Sequence, residues 1–387
     1  MASRASRLAM TLVAIAAVMA LVACSSRPEA RTPQELKVPP ALPPPVGIVL
    51  AAPSIADQGY PITVTGYLRR LELPVAAHVL VDFGDGTASQ ITVGGGGSFA
   101  VEHTYRRPGS FTVVAVAHAD ELSPNAVEHP IVVNPRRIVF IQGVNSSSHC
   151  PDGAGFLTRA PEWLEPGLVA DLGAHGLVVS EDQFSYFSYS GRYCGLAGSA
   201  PDYEVSDTCA SLSDVQAAHL MTLVKAIGPG KVTLVGFSMG GLLAAYTVAA
   251  NPDWAHERIA SVLTFDSPLG GIGFTRTTFL GADGVFGPDC GPRSSALDDM
   301  GEGSAVVRTA ALAPDVIPVY TVDATSAEPG TFGRIEAVPG SAATLRGAAA
   351  HLEVSQRHGA IWNDPGDAVD AKVRFVVCAI VVAPACT

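Results

Sequence analysis

Lys231-Val232-Thr233-Leu234-Val235-Gly236-Phe237-Ser238-Met239-Gly240-Gly241-Leu242-Leu243 is the stretch on which the fold of this chain turns. Its first part, Lys231 to Val235, is a short apolar run of the kind that forms a strand buried on both faces. From Leu242 to Ala250 the apolar residues read as a helix that ends at Asn251-Pro252. Between the two, the chain has only a few residues in which to pass from strand to helix. A bend that tight needs glycine on both sides, and it lifts the Ser238 hydroxyl above the end of the sheet, at the positive end of the following helix dipole.

Working outward, apolar strands and helical stretches alternate. Ile138 to Ile141, Ile259 to Phe265, Val316 to Val322 and Leu352 to Ser355 read as strands. Ser213 to Ile227 carries Val215, Leu220, Leu223 and Val224 at helical spacing behind a serine cap, and Ala368 to Ala379 reads as a closing helix. Alternation of this kind predicts a mostly parallel sheet with helices on both faces, spanning residues 135–387. Residues 47–134 have a different texture, with short alternating segments rich in Val, Thr, Tyr and Phe: Ile62 to Thr65, His78 to Phe83, Ser98 to His103 and Phe111 to Val116. These are strands of an all-β unit, and Gly84-Asp85-Gly86 supplies one of its tight turns.

The amino-terminal segment reads as an export signal over residues 1–23, with Arg4 and Arg7 before the apolar run Leu8 to Val22. Residues 24–46 are rich in proline and form a tether. The whole sequence of 387 residues carries a formal charge of -12 and no Lys/Arg-rich run, which excludes nucleic acid as a partner. Cleavage after residue 23 would remove Arg4 and Arg7, leaving the mature chain more negative still. Any membrane attachment therefore falls to a lipid rather than to charge.

Three resemblances follow from these residues. Gly236-Phe237-Ser238-Met239-Gly240-Gly241, with strand before and helix after, resembles the nucleophile turn of α/β-hydrolases of the lipase and esterase kind, over roughly Pro135 to Thr387. The resemblance implies an α/β-hydrolase fold and makes Ser238 the nucleophile. Val139-Phe140-Ile141-Gln142-Gly143-Val144-Asn145 resembles the oxyanion loop, with the backbone N–H groups of Val144 and Met239 as donors and Gln142 where many relatives carry His. Val81-Asp82-Phe83-Gly84-Asp85-Gly86-Thr87, His103-Thr104-Tyr105 and Pro108-Gly109-Ser110-Phe111 resemble the polycystic-kidney-disease (PKD) repeat, an immunoglobulin-like β-sandwich that serves as a spacer or as a carbohydrate- or protein-contact module. Leu21-Val22-Ala23-Cys24 resembles the lipobox of bacterial lipoproteins, which implies lipidation at Cys24 and anchoring in the cell envelope.

A serine hydroxyl needs a base, and the family places its triad in the order Ser, acid, His. Of the histidines after Ser238, His256 lies too early and His351 would enter a strand from the wrong end. His358, in Arg357-His358-Gly359-Ala360-Ile361-Trp362, falls where the family's base does. The acid stays open: Glu328 in the loop after Val316 to Val322 is preferred, Asp323 at that strand's end comes next, and Asp266 reads as structural. The implied activity is cleavage of small-molecule or lipid esters outside the cytoplasm, with no cofactor. An acyltransferase or thioesterase would use the same triad, and a non-catalytic adhesion protein would rely on the sandwich alone. Retention of Ser238, His358 and a loop acid favours the enzyme.

Seven cysteines minus Cys24 leave Cys150, Cys194, Cys209, Cys290, Cys378 and Cys386, an even set that reads as disulfides with fifteen formal connectivities. Spacing favours Cys194 with Cys209 and Cys378 with Cys386, leaving Cys150 for Cys290. Ligand spacings for a metal are absent, so none is expected. Ile272 to Pro292 reads as a lid or pocket wall, or a packed loop, and Tyr186, Tyr189 and Tyr193 as core or as the border of the site entrance.

Overall fold

A computed structural model of the chain describes residues 47–69, 77–93, 97–119, 122–150, 161, 163–164, 167–194, 202–272, 294–325 and 345–381. Residues 43–387 gather into one compact unit. Cys24, Cys290, Glu328, Cys386 and nearly all of the Ile272 to Pro292 stretch lie outside the described residues.

The first part of that unit is a β-sandwich. One sheet runs β1 (Gly47–Ala51), β3 (Pro61–Arg69), β6 (Ser98–Thr104). The other runs β2 (Ile55–Asp57), β8 (Leu122–Asn134), β7 (Gly109–Ala119), β4 (Ala77–Asp82), β5 (Ala88–Val93). Every pair is antiparallel except β2 with β8. The alternation seen in the sequence becomes two faces: along β4, Ala77, Val79 and Val81 are buried while His78, Leu80 and Asp82 are exposed. The aspartates of the turn after β4 act on the backbone. Asp82 accepts the N–H of Gly84 at 2.8 Å, and Asp85 accepts the N–H and hydroxyl of Thr87 at 3.0 and 2.6 Å. His103 stacks on Phe83 at 3.9 Å and meets Asp85 at 2.9 Å, while the Tyr105 hydroxyl donates to the Phe83 carbonyl. The motif residues thus tie β4 to β6 around one turn.

The remainder holds one six-stranded sheet, in the order β10 (Phe184–Tyr186), β9 (Arg137–Ile141), β11 (Val232–Phe237), β12 (Ile259–Phe265), β13 (Val319–Ala324), β14 (Ala350–Val354). All five pairings are parallel. Strands β12 and β13 are buried at every position, as expected of a sheet covered on both sides. On one face Val139, Ile141, Leu234 and Val262 pack under α2 (Ala217–Ala226), α3 (Met239–Ala250), α4 (Pro252–Arg258) and α6 (Ala305–Ala310), and α5 (Ser295–Met300) adds Ala296 and Met300. On the other, Phe140, Val235, Leu263 and Phe265 meet α1 (Leu168–Ala174), α7 (His358–Asn363) and α8 (Val369–Val381).

Boundaries shift where local chemistry overrides the apolar pattern. The strand expected from Val316 starts only at Val319, because Pro318 has no N–H to give the ladder; its carbonyl instead accepts from Val262. The helix expected from Ser213 opens with a wide π-turn over Leu212–Gln216, capped by the Ser211 hydroxyl on the N–H of Asp214, before α2 becomes regular.

The sandwich is joined to the sheet by a buried polar network. The Gln58 side chain donates to the carbonyls of Arg106 and Val178 and accepts from the N–H of Arg136 and from Gln183. Gln58, Arg136 and Gln183 are all buried, and the Arg136 guanidinium lies 4.5 Å from the Tyr60 ring centre. Each polar atom satisfied here fixes the sandwich against the sheet, which a freely hinged spacer would not need.

Two of the pairings expected from spacing, Cys194 with Cys209 and Cys150 with Cys290, are overturned, while that of Cys378 with Cys386 reaches outside the described residues. Cys150 bonds Cys194, with Cα atoms 5.7 Å apart, joining the loop after β9 to the loop after β10. Short sequence separation misled because parallel strands β9 and β10 lie side by side and bring their loops together across 44 residues. Cys209 and Cys378 are also disulfide-bonded, so Cys194 is not available to Cys209. Among the described residues no helix is long and apolar enough to cross a membrane, and no cluster of His, Cys, Asp and Glu is arranged to hold a metal.

Candidate active site

Ser238 stands at the bend between β11 and α3 with φ 54° and ψ -126°, a conformation that costs energy for any residue with a side chain. Two close approaches enforce it. A Cβ on Gly236 would lie 2.5 Å from the Cα of Gly241, and one on Gly240 would lie 2.4 Å from the carbonyl oxygen of Ile141. The Ser238 N–H donates to the Phe265 carbonyl at 2.9 Å, which fastens the bend to β12. Its hydroxyl is left at the amino end of α3, where the helix dipole is positive.

His358 is the first residue of α7, on the opposite face of the sheet, and both of its ring nitrogens are engaged. Nε2 lies 3.0 Å from the Ser238 hydroxyl and Nδ1 lies 2.6 Å from Oδ2 of Asp266. A carboxylate at Nδ1 holds the proton there, so Nε2 is left as the acceptor for the serine proton. Asp266 is fully buried with φ 41°; its N–H donates to Val322 and its Oδ1 accepts the N–H of Ala324. The acid is thereby clamped to the end of β13.

Asp266, which the sequence reads as structural, stands where the preferred acid was expected. Glu328 lies outside the described residues, but the position at Nδ1 that it was expected to fill is held by Asp266. Asp323 is spoken for as well, 3.4 Å from Nε2 of His351. The signal that could have found Asp266 is register: Phe237 pairs with Phe265 across parallel strands, so Ser238 and Asp266 are the first residues beyond the same end of two neighbours.

An aromatic floor underlies all three residues. Phe237, which precedes Ser238, stacks on Trp362 at 5.4 Å and meets the His358 ring at 4.9 Å. Phe265, which precedes Asp266, packs edge-on against the same Trp362 at 5.4 Å. Trp362 lies one helical turn after His358, so one indole contacts the neighbours of both other residues.

The loop after β9 passes directly over the serine: a Cβ on Gly143 would be 2.9 Å from the Cβ of Ser238. The Tyr189 hydroxyl donates to the Gln142 carbonyl, the Ser146 hydroxyl donates to the Gly143 carbonyl at 2.6 Å, and Asn145, at φ 61°, donates to Thr208. Val144 sits half-buried in this tied loop. Met239, as the first residue of α3, has an N–H with no acceptor inside its own helix. Tyr186 and Tyr189 are buried and Tyr193 donates to the His219 carbonyl, so all three pack inward.

Residues 138–272 match the family model for the alpha/beta hydrolase fold. The six-stranded domain has the α/β-hydrolase fold. Ser238 and Asp266 fall inside the matched segment of this hydrolase domain, and His358 falls beyond it. Among solved structures, an esterase from the archaeon Pyrobaculum calidifontis is 13% identical over 71% of this chain and 85% of its own, with a TM-score of 0.33. The RedJ thioesterase of Streptomyces coelicolor is 14% identical over 63% of this chain and 85% of its own, at 0.31. The human SorCS2 PKD domain is 17% identical over 31% of this chain and 97% of its own, at 0.21. No curated protein matches the sequence.

Proposed function

We propose that the protein is a serine hydrolase that cleaves carboxylic esters through an acyl-enzyme, with Ser238 as nucleophile, His358 as base and Asp266 as the orienting acid. One observation carries this reading: a single imidazole bonds the hydroxyl of Ser238 at 3.0 Å through one nitrogen and a fully buried carboxylate at 2.6 Å through the other. As the Ser238 oxygen attacks the ester carbon, its proton passes to Nε2 of His358. Asp266 stabilises the imidazolium without taking the proton. The carbonyl oxygen gains charge where the N–H groups of Met239 and Val144 would receive it. His358 then gives the proton to the departing alkoxide, water attacks the acyl-enzyme with His358 again as base, and the acid leaves as Ser238 is restored. The chemistry calls for no cofactor.

The setting we propose is outside the cytoplasm, on a lipid attached at Cys24. The Cys150–Cys194 bond supports export, since disulfides persist in oxidising compartments. The test of function is hydrolysis of p-nitrophenyl esters of short and long acyl chains by the purified mature chain beside Ser238→Ala. Turnover by the wild type alone supports the proposal; equal turnover by both, or by neither at any chain length, overturns it.

A further inference from the structure

Lys372 is buried within α8, on the face that packs beneath the helix carrying His358. Its ammonium group has three N–H donors and three acceptors: Oε1 of Gln356 at 2.7 Å, the Asp364 carbonyl at 2.7 Å and the Ile361 carbonyl at 3.3 Å. Gln356 lies two residues before His358 and donates in turn to the Asp364 carbonyl. The fourth side of the ammonium faces the Trp163 ring at 4.4 Å, and the Trp163 N–H donates to the Trp362 carbonyl. The chain entering α7 and the carbonyls leaving it are therefore gathered on one cation. Helices end in carbonyls that lack partners and attract positive charge, and α7 is too short to hold itself.

We infer that Lys372 is a positioning residue for the base: its ammonium clamps both ends of α7 and so holds His358 between Ser238 and Asp266. The inference rests on the proposed triad. Lys372 touches none of the reacting groups, so its loss lowers kcat and leaves KM alone. Burial holds its amine down to about 8, against the pull of Asp364, the one charged group that acts on it from the segment it clamps; Gln356 and Trp163, from the other elements packed on it, are neutral. The clamp therefore weakens as pH rises past that value.

The experiment follows two signals in wild type, Lys372→Met and Lys372→Arg between neutral and alkaline pH. One is kcat and KM for p-nitrophenyl acetate. The other is the far-downfield proton resonance of the His358 Nδ1–H bonded to Asp266, which needs no turnover. Lys372→Met should lose about tenfold or more in kcat with KM unchanged, and lose the resonance. Lys372→Arg should keep both, and the wild type should lose both progressively above its lysine's titration. The resonance and kcat surviving in a folded Lys372→Met, and in the wild type at alkaline pH, would overturn the inference. A responsive resonance in a protein without turnover would overturn ester hydrolysis and leave the positioning role standing.

Discussion

The carboxylate of Asp266 lies 2.6 Å from Nδ1 of His358 and is closed off from solvent, 92 residues upstream of its partner. A buried acid bonded on one side to an imidazole and on the other to the N–H of Ala324 has no freedom to serve elsewhere. Asp266→Asn keeps the shape but reverses which ring nitrogen holds the proton, so kcat for a p-nitrophenyl ester should fall about ten-thousandfold. Glu328→Gln should stay within a few-fold of wild type. The opposite ranking would return the acid to the loop after β13.

The glycines of the bend give a stability prediction. Gly240→Ala places a methyl group 2.4 Å from the Ile141 carbonyl oxygen and 2.5 Å from that of Gln142, both of them backbone. It should cost about 2 kcal/mol or more in urea unfolding. Gly359→Ala meets nothing within 4 Å in α7 and should stabilise by about 0.5–1 kcal/mol. Equal effects would mean that close packing at the bend is not what requires glycine.

Tyr105 sets an alkaline limit on the sandwich. Burial first, then the nearby charges of Asp85 and Asp82, push its phenol up to about 12. A group whose folded value lies above its ordinary 10.0 gives stability that is complete below that ordinary value and is lost as pH rises through the folded one. The wild-type Tm should therefore drop between pH 10 and 12, while Tyr105→Phe, lower at neutral pH for want of its bond to Phe83, should drop less over the same interval. Parallel curves would contradict this.

The Cys150–Cys194 bond closes a separation of 44 residues. Replacing both cysteines with serine should cost about 4 kcal/mol by the loop-entropy relation. A non-reduced peptide map should recover the two cysteines in one fragment; recovery of Cys194 with Cys209 would restore the pairing expected from spacing.

Much of the fold was legible because apolar runs and glycines act locally. The strand, glycine and helix around Ser238 carry their own geometry, and the alternation along β4 declares two faces before any partner is known. What stayed hidden depends on neighbours distant in sequence. Asp266 reads as structural until β11 and β12 are seen in register, with Phe237 beside Phe265. The cysteine pairing depends on β9 and β10 lying side by side. Lys372, one charge in an otherwise apolar helix face, gains its meaning only once α8 is placed beneath α7.

The proposed mechanism requires that the imidazole of His358 activate the Ser238 hydroxyl. Its most direct test is the intact mass and peptide map of the mature chain after exposure to a fluorophosphonate, which bonds only to an activated serine. Wild type should gain one adduct at Ser238, and His358→Ala should gain none in the same time. An unmodified wild type, or an adduct that forms at the same rate without His358, would contradict the account.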